Sequence, residues 1–435
     1  MKTITALWVF VAVFVSANDA SRWINSKDHR LDRPVAGLSD NEQDLFIIGR
    51  SFFRIPWVLA PSATTARDGL GPLFNANTCT SCHRGNGLGE TYNGKGHISR
   101  ALITKLSRPN GRAVPYYGRQ IAVNGTADVA FEAMPTRTSK TVEVTYPDGK
   151  KVLLSKPIYG LKNLNYGKLA EDVIIVQRRA PALVGLGLLS KVSDSEILKY
   201  ADADDQNKDG ISGKPNWLDK DKKQLGRFTA KAGAASVFHQ SAIAAANDMG
   251  LTNPLFPDEL CSGGQSACQD APRGRPDPNG DTLDLTAPRL AAIAFYLQNT
   301  RVPLQQLDTV GKKGKALFTQ IGCSNCHLPK LTTSDKIRFA PYTDLLLHDM
   351  GEGLADGRVE GMAGSREFRT APLWGLSTYG KTLKSKTPYY LHDSRAKTLE
   401  EAILWHGGEA EKAKQLFMQL PANERQALLA FLNQL

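Results

Sequence analysis

Two short runs hold most of the chemistry available to this 435-residue chain: Cys79-Thr80-Ser81-Cys82-His83 and Cys323-Ser324-Asn325-Cys326-His327. Each is a C-x-x-C-H. Residues three apart lie on one face of a helical turn, so both thiols can reach the two vinyl groups of one haem. The His that follows then points beneath the ring as the proximal iron ligand. From the overall frequencies of Cys and His, one such pattern is expected by chance about 0.0015 times in a chain of this length. A zinc site built from two CxxC pairs, or a pair of redox dithiols, accounts for the cysteines but not for a His after both. The expected cofactors are therefore two covalently bound haem c groups, tethered by Cys79, Cys82, Cys323 and Cys326 and ligated by His83 and His327.

Two further sets of residues have suggestive spacing. Cys261 and Cys268 are the remaining cysteines of six. Close in sequence, they read as a structural disulfide in an oxidising compartment. Asp205-x-Asn207-x-Asp209-Gly210 has the spacing of the first half of a calcium loop, but position twelve is Asn216 instead of a bidentate Glu. Calcium and an Asx-rich turn are both compatible with it.

The elements that must carry these groups are legible in outline. Ser39 with Glu42 marks a helix start for 38–53. Helical patterns follow at 193–200, 232–248, 288–300, 308–318 and 423–435. Val142, Val144 and Tyr146 alternate towards Asp148-Gly149, with Val152 and Leu154 beyond, which predicts a β-hairpin over 141–154. Each CxxCH is preceded by an apolar segment with a Phe and lies well before a helix rich in Ala, Phe and Leu. The pattern suggests two related modules, the first with a long insertion. The expectation is a mainly α chain of two cytochrome c-like haem domains, 36–304 and 305–435, with the β-hairpin inside the insertion.

Composition bounds the setting. At 41% hydrophobic and 22% charged, the chain reads as globular and not as a multi-span membrane protein. Lys2, an apolar stretch over 6–17 and the small residues Val15-Ser16-Ala17 read as a cleaved export signal over 1–17. Periplasmic localisation follows, and no later segment is apolar enough to span a membrane. The net charge of +11 is not arranged in any nucleic-acid-binding module. It suits docking of an acidic redox partner.

An ordered series of segments resembles a known family. The series is 67–83 (RDGLGPLFNANTCTSCH), 179–189 (RAPALVGLGLL), 205–213 (DQNKDGISG), 240–252 (QSAIAAANDMGLT), 346–357 (LLHDMGEGLADG), 369–376 (RTAPLWGL) and 390–409 (YLHDSRAKTLEEAILWHGGE). It resembles the di-haem oxidoreductases grouped as peroxidase-like or thiol-oxidoreductase-like, and more remotely the bacterial di-haem cytochrome c peroxidases.

That resemblance implies a division of labour. Electrons from a small soluble cytochrome or copper protein would enter at the haem of Cys323, Cys326 and His327. A small-molecule oxidant, peroxide first, would be reduced at the haem of Cys79, Cys82 and His83. It implies Met350 as sixth ligand of the second haem, with Met362 as the alternative. It implies Asp248, in Asn247-Asp248-Met249-Gly250, as the acid-base group at the first, where relatives carry Glu. His97 could be a removable distal ligand, and His392 and His406 lie in the C-terminal signature. Where the family reads Gly-Trp after Arg227-Phe228, this chain has Thr229-Ala230, which leaves Trp57, Trp217, Trp374 and Trp405 to carry electrons between haems. The competing functions are electron transfer or sensing without peroxidase activity, and redox chemistry on a thiol or metal ion.

Overall fold

The computed structural model describes residues 20–435 apart from 26, 27, 127 and 278, so the export signal expected over 1–17 lies outside the described residues. Helix α1 (Asp40–Arg54) begins at the capping box the sequence signals, with Ser39 Oγ accepting from the Glu42 amide and the Glu42 carboxylate accepting from the Ser39 amide. Helix α2 (Val237–Met249) is capped by Ser236 and ends on Gly250, whose φ of +64° supplies the left-handed C-cap. Helix α3 (Ala287–Gln298) has Pro near its first turn, where a missing N–H costs nothing. Helix α4 (Thr309–Gln320) is capped by Asp308, α5 (Leu399–Leu404) by Thr398, and α6 (Ala422–Asn433) closes the chain.

Two helix crossings organise two hydrophobic cores. In the first, α1 packs on α3, and a Cβ at Gly49 would come within 1.9 Å of the Ala292 carbonyl oxygen. In the second, α4 packs on α6, and a Cβ at Gly314 would come within 2.0 Å of the Ala427 carbonyl oxygen. Only glycine lets either pair approach so closely. Four residues beyond each glycine, an aromatic ring meets the partner helix: Phe53 lies 5.4 Å from Tyr296 and Phe318 lies 5.3 Å from Phe431. The first core also gathers Trp57, Leu290, Ile293 and Trp374, and the second gathers Trp405, Phe417 and Leu428.

The expectation of a mainly α chain fails, because about 29% of residues are helical and 19% are in strands. The insertion accounts for much of the difference. Strand β1 (Leu102–Ser107) pairs antiparallel with β4 (Ile174–Arg179). Between them, β2 (Met134–Thr145) and β3 (Lys151–Lys162) form a hairpin of twelve residues an arm. The stretch of β2 away from the turn, Thr136 to Lys140, is polar throughout, so no period-2 pattern marks it and the sequence shows only the part near the tip. A short pair, β5 (Leu347–Asp349) and β6 (Glu367–Arg369), lies in the second half.

The hairpin tip reaches the second core. Tyr146 Oη donates to Glu400 at 2.8 Å, Arg425 donates to Asp148 at 2.6 Å, and the Tyr146 ring lies 6.5 Å from Phe417. The segment inserted between α1 and α3 thus clasps the half built on α4 and α6. The disulfide expected between Cys261 and Cys268 is present. Among the described residues, no helix is long and apolar enough to cross a membrane.

Candidate haem centres

Each CxxC pair sits on a single 3-10 turn, Cys79–Ser81 and Cys323–Asn325, that places the following His against its core. The first turn is capped by Thr78 Oγ1, which accepts from the Thr80 amide. None of the four thiols is in a disulfide. Burial pushes Cys79, Cys82 and Cys323 up to about 12. They are therefore protonated thiols, the form that adds across a vinyl group.

The two histidines are held alike. His83 Nδ1 is 2.9 Å from the Pro181 carbonyl oxygen, and His327 Nδ1 is 2.9 Å from that of Tyr342. A carbonyl partner fixes the proton on Nδ1 and leaves Nε2 as the metal-binding nitrogen. Burial lowers both rings to about 4, so each is a neutral imidazole at neutral pH. Phe53 lies 6.4 Å from the His83 ring and Phe318 lies 6.2 Å from His327. Paired thiols and a neutral, oriented imidazole are the donor set a tethered haem requires, so the residues fit the group.

The surroundings of the two pairs differ. At the first, Asp248 ends α2, and its main-chain oxygen accepts from the amides of Asn75 and Ala76 on the segment leading to Cys79. Burial raises the Asp248 pKa, while a 2.7 Å bond from Gln120 Nε2 to its Oδ1 works in the opposite direction. Its charge in turn raises both Cys79 and Cys82 beyond the effect of burial. Gln240, two turns earlier on α2, has a buried Oε1 with no hydrogen-bond partner among the described residues.

At the second pair, His348 is clamped. Its Nε2 is 2.8 Å from Asp344 and its Nδ1 is 2.6 Å from Glu409, with Cys326 Sγ 3.6 Å away. Burial opposes a charge on His348, but these partners outweigh it and hold the ring well above its ordinary pKa. Burial would raise Glu409, yet hydrogen bonds from His348 and Ser212 bring it down to about 2. Glu409 also accepts from the Asp349 amide at 3.0 Å, so it pins the end of β5 just before Met350. The Met350-Gly351 turn is locked against Gly407-Gly408, where a Cβ on Gly408 would come within 2.2 Å of the Asp349 carbonyl oxygen.

Met350 is partly buried against the second core. His406, with Nδ1 2.8 Å from the Ala402 carbonyl oxygen, lies within electrostatic range of His327. Met362 is 60% exposed and His97 is also exposed, so neither is placed in a site. His392 is partly buried, stacked 4.1 Å from Phe368, and its buried Nε2 has no hydrogen-bond partner among the described residues.

The calcium spacing resolves into local turns. Asp205 accepts from the Gly210 amide, Asn207 from Asp209 and Asp209 from Ile211. Among the described residues, the one set of three His, Cys, Asp or Glu side chains with ligand atoms within 4.8 Å of one another is Cys326, Asp344 and His348.

Trp374 touches segments that lead to both sites. A Cβ on Gly185, near Pro181, would come within 2.1 Å of its ring. Its neighbour Leu373 donates to the Pro341 carbonyl, one residue from the Tyr342 oxygen that meets His327. Sequence reasoning missed Gln120, Asp344 and Glu409. A capping or turn signal could not find them, because their partners lie far along the chain or in irregular backbone.

Paired tethering turns with oriented histidines define a di-haem redox protein. A family profile described as "Di-haem oxidoreductase, putative peroxidase" matches residues 119–435, and the chain belongs to that family. The matched span includes Asp248, Cys323, Cys326, His327 and Met350, and begins after Cys79, Cys82 and His83. It is thus shorter than the span over which the sequence resembles the family. No curated protein matches the chain.

Proposed function

We propose that this protein is an exported, periplasmic c-type di-haem oxidoreductase. It reduces hydrogen peroxide at a haem held by Cys79, Cys82 and His83, with electrons entering at a haem held by Cys323, Cys326 and His327. One observation carries the reading: a partly buried acid, Asp248, biased towards its protonated form, stands beside the first cysteine pair. At the second pair the neighbouring acids Asp344 and Glu409 are both committed to His348.

A haem bound at His83 supplies the iron and electrons that reduce the O–O bond. Asp248 supplies the proton to the departing oxygen. Gln120 holds Asp248 by Oδ1, which leaves Oδ2 to carry that proton and steadies the carboxylate once it is gone. His83, bonded through Nδ1 to a carbonyl, is the more basic for it and favours electron donation to the metal. Trp374, packed between the segments behind His83 and His327, offers the route between the two centres.

In this reading residues 1–17 are a leader, 36–304 carry the first haem and 305–435 the second. Met350 is the sixth ligand of the second haem. The donor is a small soluble cytochrome or copper protein with an acidic face, matched to the basic chain.

Asp248→Asn tests the acid. The rate of reaction with peroxide should fall about 100-fold, within the usual range for a lost acid-base group. The wild-type rate should also fall as pH rises through the raised pKa of Asp248, because the proton donor is lost there, and the variant should lose that dependence. An unchanged rate and pH profile would exclude Asp248. Met350→Ala should abolish the near-infrared sulfur-to-iron band of the second haem, and a surviving band would exclude Met350.

A further inference from the structure

We propose that the face of the β1–β4 ribbon beside Asp248 is a pocket for a small carboxylate or oxyanion, held by Lys105 and Arg358. Lys105 opposes Val176 and Arg178 opposes Ile103 in the antiparallel register, so Lys105 and Arg178 project from the same face as diagonal neighbours. The loop 356–360 covers that face. Asp356 pairs with the Arg178 guanidinium, lies 3.3 Å from Lys231 Nζ, and accepts from the Arg358 amide at 3.0 Å.

Arg358 is the informative residue. It is 4% exposed, yet neither its Nε nor its Nη1 has a hydrogen-bond partner among the described residues. The nearest acid is Glu360, whose Oε1 stands 3.7 Å from Nε, beyond hydrogen-bonding reach. A buried guanidinium with unmet N–H groups carries a desolvation cost that an acceptor would relieve.

The charges point the same way. Lys105, Arg178, Lys231 and Arg358 face one another across Asp356 and Glu360, all within electrostatic range of Glu360 or Lys105. Asp356 is already paired with Arg178 and Lys231, while Glu360 stands off from Arg358. Lys231 is committed to the carbonyls of Gly364 and Glu367 at 2.6 and 3.0 Å, so Lys105 and Arg358 are the donors that remain. The guanidinium fork suits a planar carboxylate or an oxyanion.

The pocket adjoins the first haem centre. Lys105 forms a β-bridge with Gln120, the residue that holds Asp248, and the charge on Lys105 acts on Asp248. Two sources fit this chemistry: a propionate of the haem tethered at Cys79 and Cys82, or a free anion delivered beside the proton donor. The inference rests on the first haem lying at Cys79 and Cys82, and not on peroxide being the substrate.

The test uses the purified di-haem protein, with Arg358→Gln and Arg358→Lys. One readout is binding of radiolabelled inorganic sulfate by equilibrium dialysis. The other is the propionate bending bands in the resonance Raman spectrum. If a free anion is the ligand, sulfate binds the wild type and binds Arg358→Gln at least about tenfold more weakly, with recovery in Arg358→Lys. If a propionate fills the pocket, sulfate does not bind, but the propionate bands move in Arg358→Gln and return in Arg358→Lys. Sulfate binding and propionate bands that are both the same in wild type and Arg358→Gln would overturn the proposal. If Arg358→Gln does not fold, judged by the second-haem spectrum, Lys105→Gln carries the same two readouts.

Discussion

The half of the molecule built on α1 and α3 and the half built on α4 and α6 share one device and differ in what surrounds it. In both, a glycine lets two helices cross, an aromatic four residues later packs on the partner helix, and that ring sits about 6 Å from a His bonded to a carbonyl. The surrounding polar groups then diverge. The first half places a partly buried acid near its cysteines, held by a glutamine and within electrostatic range of a lysine. The second binds its acids to a histidine and locks the Met350 turn between glycines. In the proposed reading the shared part would hold a haem, and the divergent part would decide whether it reacts. A centre with an acid beside it would suit chemistry, while one beside a fixed turn would suit electron transfer.

The strongest way to break this comparison is to remove one tether pair at a time. Cys79→Ala with Cys82→Ala should lower the covalent haem count from two to one and abolish peroxide reduction, while the second haem still accepts electrons. Cys323→Ala with Cys326→Ala should leave one haem that reacts with peroxide once reduced chemically but is not supplied by a protein donor. Haem content by pyridine haemochrome and stopped-flow reduction read both arms. Equivalent losses from either pair would show that the halves are not specialised.

A smaller effect sharpens the shared part. Gly49→Ala and Gly314→Ala each drive a Cβ into a facing carbonyl, and each should destabilise its own half by about 1–3 kcal/mol. Denaturant unfolding followed at each haem's absorbance would report it. Similar losses support a common crossing. A cost at one glycine alone would mean that the two crossings are built differently.

The parts that were legible in the sequence are those with local signals. The two CxxCH runs, the Ser39–Glu42 capping box, the apolar faces of α3 and α6 and the 261–268 pairing all lie within a few residues of their partners. The full length of β2 and β3 was not legible, because Thr136 to Lys140 carry no alternation and their pairing is set across the ribbon. Gln120 lies 128 residues from the Asp248 it holds, so no periodicity connects them. The 205–210 loop shows the opposite problem. Its Asp and Asn spacing serves a cation cage and an Asx turn equally well. Both use side-chain oxygens that accept from nearby backbone amides, as Asp205, Asn207 and Asp209 do here, so local spacing reads the same for either.

The central claim, that one centre is reactive and the other an entry point, is tested most directly in the half-reduced protein. One electron per molecule should reside on the haem of His327. The haem of His83 should remain ferric with a high-spin component in its electron paramagnetic resonance spectrum. One equivalent of peroxide should then reoxidise the reduced haem within the mixing time of a manual titration. Two haems that stay low-spin in every redox state, with peroxide failing to reoxidise the reduced protein, would contradict the account.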